Sequence, residues 1–134
     1  MATFDKRKLQ DLIRNQPALR DRLLDSAAES VVTDVKLSFG TSPDGRRHEV
    51  GQGVVHIASR AGYPPNVDTG ALRASIRAVK KGNAVRWVQD GVEYGVWLEL
   101  GTARMAARPF IAPAFRRLAQ RWPQFVRQFM ERNL

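Results

Sequence analysis

Apolar residues recur at Leu19, Leu23, Ala27, Val31 and Val35, a four-residue step that keeps one face of a helix apolar along its whole length. Pro17 stands where a first turn accepts proline, because the amide it lacks would have no intrahelical partner there. Gly40 and the polar run 41–45 stop the pattern, so this long helix is expected to end near Phe39, after a short amphipathic start carrying Phe4, Leu9, Leu12 and Ile13. A second long helix is expected from Pro113, with Phe115, Leu118, Trp122, Phe125, Val126 and Phe129 at three- and four-residue spacing and Arg116, Arg117, Arg121, Arg127 and Arg132 on its polar side. Pro123 lies inside that pattern and removes a backbone donor, which predicts a kink or a break.

Between the two helices the periodicity changes. The stretch 41–67 is rich in glycine and proline around the short apolar run Val54, Val55, His56 and Ile57. It reads either as a long excursion ordered against a partner or as a surface hairpin centred on Gly51 to Gly53. Asp68 is a good N-cap for a short helix over the next few residues. Side chains alternate over 75–80 and 85–89, on either side of a turn at Lys81, Gly82 and Asn83. The run 92–100 fits both periods; a short helix is favoured, ended by Gly101 and followed by a small-residue, basic loop at 102–108. Together these elements predict a single α+β domain over 1–134. Two long helices, N- and C-terminal, pack on a small, mainly antiparallel sheet, with a long irregular loop at about 41–67 between the first helix and the sheet.

Length and composition permit a core without staples: 134 residues, 43% of them hydrophobic. With no cysteine, thiol chemistry, disulfides and Cys-zinc sites are excluded, and the two histidines, His48 and His56, form no recognised ligand spacing. Neither a metal nor another cofactor is expected. No apolar run is long enough to cross a bilayer and the start lacks the apolar stretch of a signal peptide, so a soluble, cytosolic product without a membrane partner is expected. The net charge of +9 favours an acidic partner, and beyond Gly101 seven arginines face a single acidic residue, Glu131. Arg104, Arg108, Arg116, Arg117 and Arg121 are the candidates for an interface or for the wall of a DNA channel, since guanidinium groups grip phosphates bidentately. Most aromatics are expected in the core, with Trp97 the one placed at a subunit interface. Gly51-Gln52-Gly53 lacks the further glycines of a nucleotide fingerprint, no nucleophile motif occurs, and Glu93 and Glu99 read as solvent or interface charges rather than a catalytic pair. No enzymatic activity is expected.

Three stretches carry a resemblance. They are 62–76 (Gly-Tyr-Pro-Pro-Asn-Val-Asp-Thr-Gly-Ala-Leu-Arg-Ala-Ser-Ile), 94–102 (Tyr-Gly-Val-Trp-Leu-Glu-Leu-Gly-Thr) and 103–115 (Ala-Arg-Met-Ala-Ala-Arg-Pro-Phe-Ile-Ala-Pro-Ala-Phe). In order and spacing they resemble the neck and tail-completion proteins of long-tailed phages, similar to the minor tail protein Z group of lambda. Two departures are Gly95, where that family more often has alanine, and Leu100, where an aromatic is common.

The motif positions are Asp68, Thr69, Gly70, Leu72, Arg73, Ser75, Tyr94, Glu99, Gly101, Thr102, Arg108, Pro109, Phe110 and Pro113. Their physical reading is a scaffold. Asp68 caps the short helix and Gly70 allows close backbone approach. Leu72 and Ile76 anchor that helix, and Gly101 gives a positive-φ exit. Arg108-Pro109 fixes an extended approach to Phe110 in the core, and a Glu99–Arg108 ion pair is expected within or between subunits. The resemblance implies a structural virion protein at the head–tail junction, assembled in the host cytoplasm. It would form a homo-oligomeric ring of six or twelve copies that joins the capsid connector to the tail and lets genomic DNA pass. Its implied partners are itself, adjacent head-completion or connector proteins, and tail-terminator or tail-tube proteins. The alternatives are a tail terminator in the same particle and a nonspecific DNA-binding protein.

Overall fold

A computed structural model of the chain describes residues 5–41, 44–49, 55–59, 61–65 and 70–133. Helix α1 (Lys6–Asn15) begins where Asp5 Oδ1 accepts the backbone N–H groups of Arg7 and Lys8, at 3.0 and 3.4 Å. Helix α2 (Pro17–Ser38) follows with Pro17 in its first turn and buries the expected stripe from Leu19 to Val35, the last fully enclosed. It stops as the pattern predicted: Phe39 is extended, Gly40 has φ +83°, and Thr41 donates both its amide and its hydroxyl to the carbonyl of Ser38.

The stretch after α2 contains a hairpin, the second of the two readings. Strands β1 (Asp44–Glu49) and β2 (Val55–Ser59) pair antiparallel, setting His48 opposite His56 in register, while the expected centre at 51–53 lies outside the described residues. A second antiparallel pair, β3 (Arg77–Gly82) and β4 (Val85–Gln89), follows the short helix α3 (Ala71–Ser75). Their turn falls at Asn83 and Ala84, one residue later than expected, because a register shift between Lys80 and Gly82 extends β3. The expected small antiparallel sheet is thus two separate two-stranded sheets among the described residues.

Sheet β3–β4 lies on α2 through Ala78 and Val88, which pack against the main core. Beside them Arg86, with its side chain only 5% exposed, forms an ion pair and hydrogen bond with Asp25 and lies 3.6 Å from Asp21. The hydrogen bond to Asp25 is the chief cause that raises the Arg86 pKa above its ordinary value; burial opposes it and the two carboxylate charges reinforce it. This ion pair pins the sheet to α2, and Arg20 holds the turn by donating to the carbonyl of Asn83. The opposite face of the sheet carries Val79 paired with Trp87, and Lys81 stands 5.1 Å over the Trp87 ring.

Helix α4 (Gly95–Leu100) realises the helical reading of the ambiguous run. The C-terminal helix breaks as Pro123 demands, into α5 (Ile111–Gln120) and α6 (Trp122–Asn133). Arg121 forms the joint, its amide turning back to the carbonyls of Leu118 and Arg117, and Pro123 then occupies the first turn of α6, where it needs no donor. The main core gathers Val31, Val35, Phe39, Leu72, Ile76, Phe110, Ala114 and Leu118, and a second cluster joins Leu19 and Leu23 to Val126 and Phe129. Phe115 departs from the expected core stripe and is 44% exposed, because Ala114 and Leu118 already occupy the face that α5 turns to α2.

Candidate functional site

The three stretches that carry the resemblance meet at the C-terminal end of α2. Gly62 donates its amide to the carbonyl of Ala107 at 2.8 Å, and the carbonyl of Pro65 accepts the amide of Gly40 at 3.2 Å. Arg73 Nε, on α3, donates to the carbonyl of Lys36, one of the last carbonyls of α2, at 3.1 Å. The ring of Phe110 is fully buried, 5.6 Å from that of Phe39. Residues far apart in the chain therefore build one corner on the exit of α2.

Glu99 holds the corner from within. Its carboxylate accepts the backbone N–H groups of Phe110 and Ile111 through Oε2, at 2.8 and 3.0 Å, and that of Ala112 through Oε1, at 2.9 Å. These are the otherwise unpaired donors at the start of α5, where the helix dipole also favours a negative charge. The expected pairing of Glu99 with Arg108 inside the chain is corrected accordingly. The carboxylate lies on the amides instead, and the backbone N–H of Arg108 donates to the carbonyl of Leu98 at 2.6 Å. Nothing local signals this cap, since Glu99 lies eleven residues before Phe110 and only the returning loop brings them together.

That loop turns on Gly101, with φ 78° and ψ 174°, a conformation essentially confined to glycine. A Cβ there would stand 2.9 Å from the amide nitrogen of Ala107 and 3.0 Å from the carbonyl oxygen of Met105. Gly101→Ala is expected to lose about 1–3 kcal/mol from conformation alone, with the backbone clash adding to it. Equilibrium urea unfolding checks this, and a midpoint equal to the parent's refutes it. Thr102 and Met105 close the loop by exchanging backbone hydrogen bonds, and the Thr102 hydroxyl accepts the amide of Arg104, which is exposed at the tip.

Gly70 acts differently from expectation. It is the N-cap of α3 with φ +82° and open space around it, so its role is the positive φ and not close approach. The cap expected at Asp68 lies, with Thr69, outside the described residues. Gly95 is buried, and a Cβ on it would meet the carboxylate of Asp90, which would have to move aside.

The remaining motif residues are structural in their contacts. Leu72 is buried, the Ser75 hydroxyl donates to the carbonyl of Leu72, and Pro109 and Pro113 flank the buried Phe110 on the way into α5. Tyr94 is exposed at the start of α4. Of the candidate channel arginines, Arg117 pairs with Asp34 of α2 at 2.8 Å and Arg121 donates to the Ser30 hydroxyl at 2.9 Å, while Arg116 is exposed.

The outer side of the corner is apolar. Val96, Trp97 and Leu100 of α4 are 50%, 51% and 75% exposed, while Leu98 of the same helix packs against the core. Trp97 thus lies on the surface with two aliphatic neighbours at helical spacing. Among the described residues no cluster of three or more His, Cys, Asp or Glu is placed to hold a metal, and no helix is long and apolar enough to cross a membrane. No protein-family model, curated protein or solved structure matches the chain.

Proposed function

We propose that this chain is a structural subunit of the phage head–tail junction, a neck or tail-completion protein. It closes with copies of itself into a ring that joins the capsid connector to the tail and leaves a passage for DNA. The observation that carries this reading is the corner itself. The three resembling stretches converge on the end of α2, and the order they impose turns outward an apolar strip of Val96, Trp97 and Leu100. A tryptophan flanked by aliphatic side chains on a rigid helix is the kind of anchor that dominates association energies. The pairing of Arg117 and Arg121 with α2 favours a structural role for these arginines over a free-standing DNA grip.

Electron microscopy of particles from the parent phage or prophage lacking this gene tests the proposal. Filled heads beside complete, unattached tails are expected, and tails of abnormal length would move the role to termination. Intact infectious virions would overturn the neck reading, and steeply salt-dependent duplex binding by the isolated protein would then favour the DNA-binding alternative. In the purified chain, Trp97→Glu combined with Leu100→Glu is expected to abolish the ring in native mass spectrometry while leaving the unfolding midpoint close to the parent's, because both side chains are at least half exposed.

A further inference from the structure

His48 and His56, the only histidines of the chain, stand eight positions apart, a separation that by itself suggests no ligand set. The β1–β2 hairpin removes that separation. Its register pairs Arg47 with Ile57, His48 with His56 and Glu49 with Val55, so the two histidines are cross-strand partners on one face of the sheet. Directly opposite residues of an antiparallel pair have Cβ atoms about 4.5–5.5 Å apart. That is close enough for two imidazoles to reach one ion, since a metal–nitrogen bond is about 2.0–2.1 Å long.

The charged residues of the hairpin leave the imidazoles as the donors. By strand alternation Arg47 and Glu49 fall on the face opposite to that of His48, and β2 has no lysine, arginine or carboxylate. Asp44 pairs with Ser59 at the far end of β1, beyond a register shift. Arg46 lies within that shift, and a guanidinium is a donor of hydrogen bonds with no acceptor to offer a metal. Neutral imidazole suits Zn²⁺, Cu²⁺ and Ni²⁺, whereas Mg²⁺ and Ca²⁺ take oxygen ligands. A sheet of only two strands is marginal in water, so an ion bound across it adds its binding free energy to the pairing.

We infer that His48 and His56, set opposite each other in the β1–β2 register, form a two-imidazole site for a late first-row divalent cation, Zn²⁺ in the first instance, which clips the two strands together. The site is independent of the ring reading. Two protein nitrogens leave the remaining positions of a tetrahedral ion to water, so the metal exchanges and the site is not a closed structural centre.

Zinc chloride added to the parent chain tests the site directly, because only two imidazoles contribute to the spectrum. In two-dimensional NMR at a pH of about 7.5, above the ordinary imidazole pKa of about 6.5, both are expected to shift together and to saturate at one equivalent. A shift of one imidazole alone, or of neither, would overturn the site. The amides of β1 and β2 are expected to exchange more slowly in the loaded chain, and unchanged exchange at saturation would overturn the clip. Native mass spectrometry separates a pair within one chain from a bridge between copies: one Zn²⁺ per chain is expected, and one per two chains would overturn the cross-strand pair. His48→Gln and His56→Gln, checked as folded by urea unfolding in EDTA, are each expected to weaken binding at least about tenfold, since a single imidazole cannot chelate. His56→Gln combined with Ile57→His keeps two histidines but moves one of them to the other face, so binding should stay lost. Binding regained in that variant would overturn the role of the register.

Discussion

Replacing Phe110 with alanine is expected to destabilise the chain by about 3–5 kcal/mol, the range for truncating a fully enclosed aromatic in a packed core. Phe110 is 0% exposed and meets Phe39 at a 50° tilt, so the substitution removes both apolar burial and an aromatic contact and leaves a void at the exit of α2. The neighbours cannot close over that void easily. The loop before Phe110 is fixed by Gly101 and by the hydrogen bonds of Gly62 and Arg108, and the helix after it is fixed by Glu99. Equilibrium urea unfolding of the monomeric chain measures the loss, and a value below about 1 kcal/mol would mean that the corner repacks freely. Phe110→Leu keeps most of the volume and is expected to recover more than half of the difference.

Glu99→Ala should have the next largest effect, about 2–4 kcal/mol, because it strips three backbone amides of a charged acceptor and leaves that of Phe110 in a buried position. Glu99→Gln keeps one oxygen of the right reach but loses the charge and turns an amide NH2, itself a donor, toward the backbone donors, so an intermediate loss is expected. Hydrogen exchange gives a local check: the amides of Phe110, Ile111 and Ala112 should lose protection in both variants well before those of α2 do. Were Glu99 instead an intersubunit charge, both variants would unfold at the parent's midpoint and fail only in assembly. The contrast with Trp97→Glu and Leu100→Glu is direct, since those changes should spare the monomer and act only on the proposed ring.

Much of the architecture was legible from spacing. The α2 stripe, its end at Phe39 and Gly40, the strand pair with a turn near residue 82 and the break forced by Pro123 all follow from local chemistry. They were readable because periodicity and missing donors act over one or two turns. The same tools left the run 92–100 balanced between two periods and the stretch 41–67 between an excursion and a hairpin. In the first case tertiary space decided. The helix that starts at Gly95 lets Leu98 reach the core, while Val96, Trp97 and Leu100 stay outside it.

The candidate site was legible only in part. The sequence marked Glu99, Gly101, Arg108 and Phe110 as belonging together but pointed to an ion pair where the structure has a helix cap. A carboxylate reads locally as a charge seeking a cation; its position against three amides exists only after the loop has folded back. The arginines show the same limit. Their clustering beyond Gly101 is a fact of composition, yet Arg117 and Arg121 turn onto α2 because Asp34 and Ser30 happen to lie across the helix pair.

What the sequence by itself determined is the long helix α2 with its end and buried stripe, the β3–β4 pair and the break at Pro123, since each depends on neighbours within a few positions. Tertiary structure alone decided which carboxylate caps which helix and that Arg86 is clamped between α2 and the sheet. It also decided that Phe115 remains outside the core. Those outcomes depend on distances between residues remote in the chain, where a filled core has no room for every apolar side chain and those left over stay on the surface.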